Sequence, residues 1–323
     1  MLDLSQPDSH PYLAVRGVYS PRVFPRGGAI FPTARTIVGT KQVGYKDTTS
    51  FGLCVLPFGG TVAQDLLRRS DASVLDPNWS SDGQRIVFSL RFPANLSRSE
   101  IEAICTINGD GTNFRMLTDT STVHGEYPVW SPDGTQIAFL DTRVPTDAWL
   151  TVMSADGKNL SHISSASWSY RPSWSPDGHF VTFGTLSHID YQNVSLWVYD
   201  TQLKGSKEVS SSTILIATPV AWSPNGSALF CFSQEGINQT GVFRVTLSAT
   251  PSFKRLALGQ GYASVVCSPD GGHILLFVVS YQANSNVLEI VVMNQDETDV
   301  RTLLSIQTPT VAYAVGDYIR WIP

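Results

Sequence analysis

The stretch that decides the fold is residues 128–134, Pro-Val-Trp-Ser-Pro-Asp-Gly, which returns at residues 172–178 as Pro-Ser-Trp-Ser-Pro-Asp-Gly. Looser copies occupy three further places, residues 77–83, 220–226 and 265–271. Measured from the Trp position, which is a Cys in the last copy, the copies recur every 44–51 residues. A repeat of about 40–50 residues that is built from short strands is typical of propeller blades. The sequence therefore predicts a β-propeller.

Each copy has the chemistry of a strand, a tight turn and a second strand. Pro132 presets φ at the second turn position, and Gly134 suits the fourth position of a type I turn. We expect the Asp side chains of these turns to cap the local backbone, as Asp commonly does. We expect Trp130 and Trp174, which end the first strand of their copies, to pack between adjacent blades.

Two more short strands follow each hairpin, so that every blade has four strands, here called a to d. Five complete copies begin near residues 76, 127, 171, 218 and 262. Residues 36–67 supply only strands b, c and d of another blade, and residues 319–323 supply only a strand a, around Trp321. An open ring would leave two bare sheet edges. We therefore predict an all-β, six-bladed propeller of four-stranded antiparallel blades over residues 34–323, closed by pairing of its N- and C-terminal strands, behind an N-terminal arm of residues 1–33.

Composition excludes several functional classes. Charged residues make up 15% of the chain, the net charge is −5, and the 22 basic residues form no run, which argues against a nucleic-acid partner. No apolar stretch reaches the ~18 residues that span a bilayer. The first residues show no basic end followed by an apolar core, so no signal peptide is visible. We expect a soluble monomer.

The four cysteines are predicted to be structural. Cys54, Cys105, Cys231 and Cys267 form no CxxC pair, and each lies in a run typical of a strand. Reduced cysteines in such runs usually behave as small buried hydrophobes. A disulfide or metal framework is the alternative.

Strand alternation predicts which face binds ligands. The a–b and c–d turns share one end of each blade, while the longer and dissimilar b–c and d–a loops share the other. Variable loops on a rigid scaffold commonly carry binding sites. The residues just before each strand a should ring the central channel on that loop face. From them we select seven ligand-binding candidates: Asp76, Glu126, Tyr127, Tyr170, Arg171, Tyr262 and Tyr318. Aromatic and charged side chains suit a protein, a peptide or a glycan; alternatively, the Tyr rings only fill the channel mouth.

No catalytic residue is predicted. The sequence lacks a G-x-S-x-G elbow, a P-loop and an H-E-x-x-H motif. An enzyme remains an alternative, through a metal or acid–base cluster of loop residues, His124, Glu126, His188 and Asp190. We expect no cofactor, with one alternative: Ca²⁺, which prefers oxygen ligands, held near the channel by Asp76, Glu126 and Asp317.

The repeat resembles a known family. Residues 77–118 and 128–163 best carry the Trp-Ser-Pro-Asp-Gly unit, the Ile-Ala-Phe-like strand after it, and the later Asn-Gly-Asp-Gly turn with its Arg-Met-Leu-Thr strand. This pattern is similar to the WD-repeat-like propeller repeat of the bacterial TolB family, without that family's N-terminal α/β domain. The resemblance implies a protein-binding propeller in a periplasmic or extracytoplasmic location. The same repeat occurs in propellers attached to other proteins, so the alternatives are a lyase or hydrolase acting at the channel mouth, or an accessory propeller of a larger peptidase or sensor kinase.

Overall fold

In the computed structural model, the described residues are 29–31, 36–43, 50–57, 64–93, 101–144, 147–166, 171–186, 194–209, 214–216, 221–235, 239–247, 251–257, 263–267, 272–282, 285–294 and 298–308. Within these ranges the chain forms strands and turns and no helix, so no helix there could cross a membrane. All pairings between the described strands are antiparallel, and they group the strands into six sheets. The predicted all-β class is confirmed.

The first three sheets each contain four strands in consecutive order. The first has β1 Ala29–Phe31, β2 Thr36–Val43, β3 Ser50–Pro57 and β4 Gln64–Leu67. The second has β5 Ser73–Trp79, β6 Arg85–Phe92, β7 Ile101–Asn108 and β8 Arg115–Met116. The third has β9 Gly125–Trp130, β10 Gln136–Val144, β11 Asp147–Ser154 and β12 Ser161–Ala166.

The other three sheets repeat this order with one variation. The fourth has β13 Ser173–Trp174, β14 Phe180–Leu186, β15 Val194–Asp200 and β16 Gly205–Glu208. The fifth has β17 Ile214–Ile216, β18 Ala221–Trp222, β19 Ala228–Glu235, β20 Gln239–Thr246 and β21 Ser252–Ala257. The sixth has β22 Ala263–Cys267, β23 His273–Gln282, β24 Ser285–Asn294 and β25 Arg301–Thr308. Both β17 and β18 pair with β19, so strand a of the fifth sheet comes in two pieces.

The first sheet differs from the sequence prediction. Strand β1 pairs with β2, with Phe31 opposite Thr36 and Ala29 opposite Val38. This is the edge that we expected the strand around Trp321 to occupy, and β1 belongs to the segment that we expected to be only an arm. The cause is local. Only four residues separate the end of β1 from the start of β2, and the extended backbone of β1 can pair with the N–H and C=O groups on the free edge of β2. Trp321 itself lies outside the described residues.

The repeated tryptophans form the core between neighbouring sheets. Trp130 is 6% exposed and packs against Val87 and Ile104 of the second sheet as well as its own sheet. Trp174 packs in the same way on the third sheet, and its Nε1 donates to the carbonyl of Val129 at 3.3 Å. The predicted packing of both residues between blades is confirmed.

The cysteines agree with the prediction except at one position. Cys54, Cys105 and Cys231 are buried, and all four thiols are free. Cys267 takes the place of the repeated Trp between the fifth and sixth sheets, but it is only partly buried. Its small side chain fills less of that place than an indole would. Burial still raises the pKa of the Cys267 thiol to about 12.

The turns after the tryptophans hold themselves together as predicted. In the third sheet, Ser131 Oγ donates to Asp133 Oδ1 at 2.6 Å, and the same oxygen accepts the amide of Thr135 at 3.0 Å. Gly134 has a φ of +68°, a conformation that glycine adopts without strain. The capping role of the turn Asp is confirmed here, and it recurs at Asp82 and Asp177.

Both kinds of tight turn lie at the same end of the second sheet, and likewise of the third. The amide of Gly109, in the c–d turn of the second sheet, donates to the carbonyl of Gln84 in the a–b turn at 2.8 Å. The third sheet repeats this bond from Ala155 to Thr135 at 2.8 Å. The start of strand a therefore lies at the opposite end, which is where the ligand-binding candidates were predicted.

Candidate functional site

A shared irregularity shapes the first strands of the second and third sheets. In each strand the register shifts by an extra residue just before the Trp, and the bulge contains Asp76 in β5 and Tyr127 in β9. These residues have φ values of +50° and +54°. Pro77 and Pro128 follow them, and a following proline disfavours the right-handed helical conformation. Left-handed backbone at residues other than glycine is often found at functional sites, where the surrounding structure holds it in place. The bulges thus re-aim both side chains.

Arg171 brings these two residues together. It lies two residues before β13, and its Nη2 is 3.0 Å from Asp76 Oδ1. Its guanidinium also lies 5.1 Å from the centre of the Tyr127 ring, within the range of a cation–π contact. Asp76 is 7% exposed and Tyr127 is 8% exposed, so the contacts lie in a largely desolvated place. Three neighbouring sheets therefore contribute one side chain each to a single cluster.

A buried ion pair lies beside this cluster. Glu102 of β7 pairs with Arg91 of β6, and the two residues are directly opposite each other in the strand register. Glu102 is 4% exposed, and its Oε2 has no hydrogen-bond partner among the described residues. Burial, and next the negative charge of Glu126, raise the pKa of Glu102 to about 8, with a smaller contribution from Asp76. Burial therefore shifts Glu102 toward its protonated form, against the charge and hydrogen bond of Arg91, which lower the pKa.

The structure gives the predicted candidates different outcomes. Asp76, Tyr127 and Arg171 come together, and the carboxylate of Glu126 accepts a hydrogen bond from Thr142 Oγ1 at 3.3 Å. Asp76, Glu126 and Tyr127 lie inside the first strands rather than just before them, because β5 and β9 continue beyond their bulges. Three other candidates lie outside the described residues: Tyr170, Tyr262 and Tyr318.

The alternative metal and acid–base clusters gain no support from the described residues. Within those ranges, no group of three or more His, Cys, Asp or Glu side chains could hold a metal ion. Three members of the predicted clusters lie outside the ranges: His188, Asp190 and Asp317. The Ca²⁺ site that we considered at Asp317 therefore stays a prediction.

Sequence reasoning missed Arg91 and Glu102. The sequence does contain one sign of a special role for Glu102. It is a charged residue within an apolar run at the start of β7, and the residues that follow it are buried. Opposite charges at facing positions of neighbouring strands form favourable pairs. The register that makes them partners depends on the length of the loop between β6 and β7, which the sequence pattern does not determine.

Comparison with known proteins identifies the repeat. A family model described as the TolB β-propeller domain matches residues 94–312. A protein described as a TolB homolog, from Chlorobium luteolum, is 29% identical over 147 residues, which is 46% of this chain and 32% of that protein. The match spans about a third of that relative's length.

Similar solved structures include two enzymes. A mutant puromycin hydrolase complexed with PGG is 16% identical with a TM-score of 0.64, and the match covers 90% of this chain and 47% of that one. An oligogalacturonate lyase in complex with manganese is 14% identical with a TM-score of 0.63, and the match covers 85% of this chain and 76% of that one. At these identities the likeness shows the fold alone.

Proposed function

Because this chain belongs to the TolB β-propeller domain family, we propose that it is a binding module that recognises a segment of another protein. The proposed site lies at the end of the sheets where the first strands begin, opposite the tight turns. The proposal includes a closed ring of six blades, whose axis passes through this site. It also includes the extracytoplasmic location that the resemblance implies.

One observation carries the proposal, the meeting of Asp76, Tyr127 and Arg171. Side chains from three successive sheets can converge only near the centre of the ring, where a ligand would touch several blades at once. Tyr and Arg are enriched among the residues that dominate the energetics of protein interfaces, and Tyr buries a large area with only two side-chain torsions to restrict. We include Tyr170, Tyr262 and Tyr318 in this site on the basis of their places in the repeat.

Glu102 favours a second candidate function, that of an enzyme acting at the same place. A carboxylic acid with a pKa of about 8 can donate a proton at neutral pH, as a general acid in a hydrolase or lyase does. Such an enzyme would need a second acid–base group on the other side of the substrate. Glu126 is the candidate, because its negative charge acts on Glu102 more strongly than that of any other carboxylate. An accessory role beside a separate catalytic domain fits the same binding site.

Selection from a phage-displayed library of random peptides tests the binding proposal. We expect enriched peptides to bind the wild-type protein, and binding to fall at least tenfold, or about 1.4 kcal/mol, in Arg171→Ala and Tyr262→Ala. Arg171→Lys keeps the charge but not the planar guanidinium, and we expect a smaller loss. Each variant must remain fully folded at the temperature of the binding assay, although Arg171→Ala is expected to unfold more easily than the wild type.

The control lies on the opposite end of the same sheets. Asp133→Asn and Asp177→Asn alter only the tight turns and should leave peptide binding unchanged. If these variants lose binding while Arg171→Ala retains it, the proposed face is wrong. If no peptide is enriched but a glycan array gives binding that depends on Arg171, the ligand class is wrong. Cleavage of a selected ligand that stops in Glu102→Gln would favour the enzyme.

A further inference from the structure

A pocket lies on the third sheet close to the start of β9, where Asp141 of its lining is opposite Gly125. Its volume is about 140 Å³, and it is lined by Asp141, Arg143, Trp149 and His162. These residues lie at the end of β10, the start of β11 and the start of β12. Among the described pairings of a second strand with a third strand, only β10–β11 has a register shift, between Asp141 and Val144. Such bulges commonly redirect side chains next to binding sites.

A hydrogen-bond network holds the polar side of this pocket rigid. Asp141 is 1% exposed and accepts from the Arg143 guanidinium, with Nη2 at 2.8 Å from Oδ2 and Nε at 2.9 Å from the same oxygen. Asp141 Oδ1 also accepts from the backbone amide of His124 at 3.1 Å. The carboxylate is thus surrounded by donors, and it orients Arg143 rather than offering free oxygen to a ligand. Arg143 itself is 39% exposed.

The same network orients the ring of His162. Arg143 Nη2 lies 3.3 Å from His162 Nε2, and since a guanidinium can only donate, Nε2 must accept. His162 Nδ1 then carries the proton and donates to Thr151 Oγ1 at 3.0 Å, while that hydroxyl donates to the carbonyl of Trp149 at 3.2 Å. One ion pair and one imidazole ring therefore form the polar side of the pocket, and the charges of Arg143 and Asp141 balance each other.

The remaining wall is aromatic. Trp149 is 39% exposed, although buried indoles fill the core elsewhere in this protein, and its ring meets His162 edge to face at 6.0 Å between centroids. The outer amino group of Arg143, Nη1, makes no hydrogen bond to any described residue. A ligand thus finds an exposed indole surface next to N–H donors, at a place where the charges of Arg143 and Asp141 balance.

From this arrangement we propose that the pocket binds a single neutral sugar ring. The apolar C–H face of a pyranose packs on an aromatic surface, and its hydroxyl oxygens accept from Arg143. A strong anion would gain little binding energy from Arg143, because Asp141 already neutralises the charge of the guanidinium. A cation is disfavoured by the guanidinium. A volume of about 140 Å³ leaves room for about one ring, so a longer glycan would enter by one residue only. Its four lining residues include none of the candidates for the protein-binding site proposed above.

Saturation-transfer NMR with glucose, galactose and mannose tests the assignment on the full chain. We expect transfer to the ring protons of at least one hexose, with a Kd in the range of roughly 1–10 mM for so small a contact. Trp149→Ala and Arg143→Ala should weaken binding at least about tenfold, while Trp149→Phe should keep most of it, because an aromatic face remains. Glucosamine and glucuronate should bind more weakly than glucose.

Leu203→Ala is the distant control. Leu203 is 82% exposed and lies in the turn between β15 and β16 of the fourth sheet, so its truncation should leave hexose binding unchanged. The inference is overturned if no hexose shows transfer, if Trp149→Ala binds as the wild type does, or if glucuronate binds more tightly than every neutral hexose. Because none of these variants touches Asp76, Tyr127 or Arg171, the result is independent of the peptide-binding test.

Discussion

Arg171 and Asp76 are 95 residues apart in the chain, yet their side chains meet at 3.0 Å between Nη2 and Oδ1. Asp76 belongs to the second sheet and Arg171 leads into the fourth, so the contact passes across the third sheet. Tyr127 of that third sheet lies against the same guanidinium. The contact therefore couples three blades, and its loss should affect both the stability of the protein and the shape of the proposed binding site.

A double-mutant cycle measures this coupling. We expect Asp76→Ala and Arg171→Ala each to lower the free energy of unfolding, and the two together to cost less than the sum of the single changes. The interaction energy should lie in the range of roughly 0.5–3 kcal/mol, as for other charged partners in direct contact. Urea unfolding followed by tryptophan fluorescence gives all four values.

The exposed pair of Asp299 and Arg301 is the control for this cycle. Their side chains are 50% and 61% exposed and meet at 2.8 Å. Exposed ion pairs contribute little, because water and salt screen them. Equal coupling in the two cycles would contradict the view that the partly buried contact of Arg171 is special.

Glu102 predicts a specific pH dependence of stability. Its pKa is raised in the folded protein to about 8, from an ordinary value of 4.5, because burial disfavours the charged form. The folded state therefore binds more protons than the unfolded state between these two values, and stability should fall as pH rises through that window. The contribution is fully present below about 4.5 and is lost above about 8.

Glu102→Gln tests this dependence, because glutamine keeps the shape of the protonated acid and does not ionise. Unfolding measured in urea at several pH values should show a variant that gains stability relative to the wild type as the solution becomes alkaline. A difference between variant and wild type that is the same at pH 5 and at pH 9 would mean that Glu102 does not titrate in this window. Cys105 is buried nearby in β7, but its raised pKa of about 12 keeps it outside that range.

The repeat made most of the fold predictable, because its turns and tryptophans are local signals. The Ser131–Asp133 bond and the positive φ of Gly134 follow from four adjacent residues. The packing of Trp130 on the neighbouring sheet follows from the repetition of the unit. The sequence also identified Asp76, Tyr127 and Arg171 as neighbours, because they occupy equivalent places three residues before the Trp.

What the sequence did not predict depends on irregular backbone and on pairs that are distant in the chain. The bulge that turns Tyr127 inward has no separate sequence signal apart from Pro128. The pairing of Arg91 with Glu102 depends on strand register. The alternation of apolar and polar residues excludes a register slip of one residue, which would turn the apolar face outward, but it does not exclude a slip of two. The pairing of β1 with β2 depends on whether β1 or the strand around Trp321 occupies that edge of the first sheet.

The repeated tryptophans should carry much of the stability. Trp130→Ala removes a 6% exposed indole from between two sheets, and we expect a loss of about 3–5 kcal/mol in the free energy of unfolding. Trp149→Ala, at a 39% exposed position on the same sheet, should cost far less. A Trp149 variant that is as unstable as the Trp130 variant would show that burial between sheets is not the cause.

The turn aspartates offer a test with an internal reference. Asn225 replaces Asp in the fifth copy and still accepts from Ser223 Oγ at 2.8 Å, so Asp133→Asn should be nearly neutral. Asp133→Ala removes the acceptor and should cost roughly 1 kcal/mol at neutral pH. Burial alone would raise the pKa of Asp133, but hydrogen bonds from Ser131 and Thr135 lower it below 3.8. The stability that the ionised Asp133 adds is therefore present above pH 3.8 and is lost as the pH falls through the folded pKa. Acid unfolding of the Ala variant should therefore differ least from the wild type at the lowest pH.

The edge of β2 decides how the first sheet is completed. Strand β1 pairs with only the first three residues of β2, whereas β3 pairs with all eight. Deleting residues 1–32 removes this short partner and leaves the edge bare, and bare edges recruit strands from other molecules. We expect the truncated protein to melt at a lower temperature and to form dimers or larger species, visible by light scattering after size exclusion. Deleting residues 317–323 is the matched comparison, because the repeat assigns the strand around Trp321 to the same edge. If only that second deletion lowers the melting temperature and promotes association, the C-terminal strand completes the sheet in solution and the β1 pairing does not hold the edge.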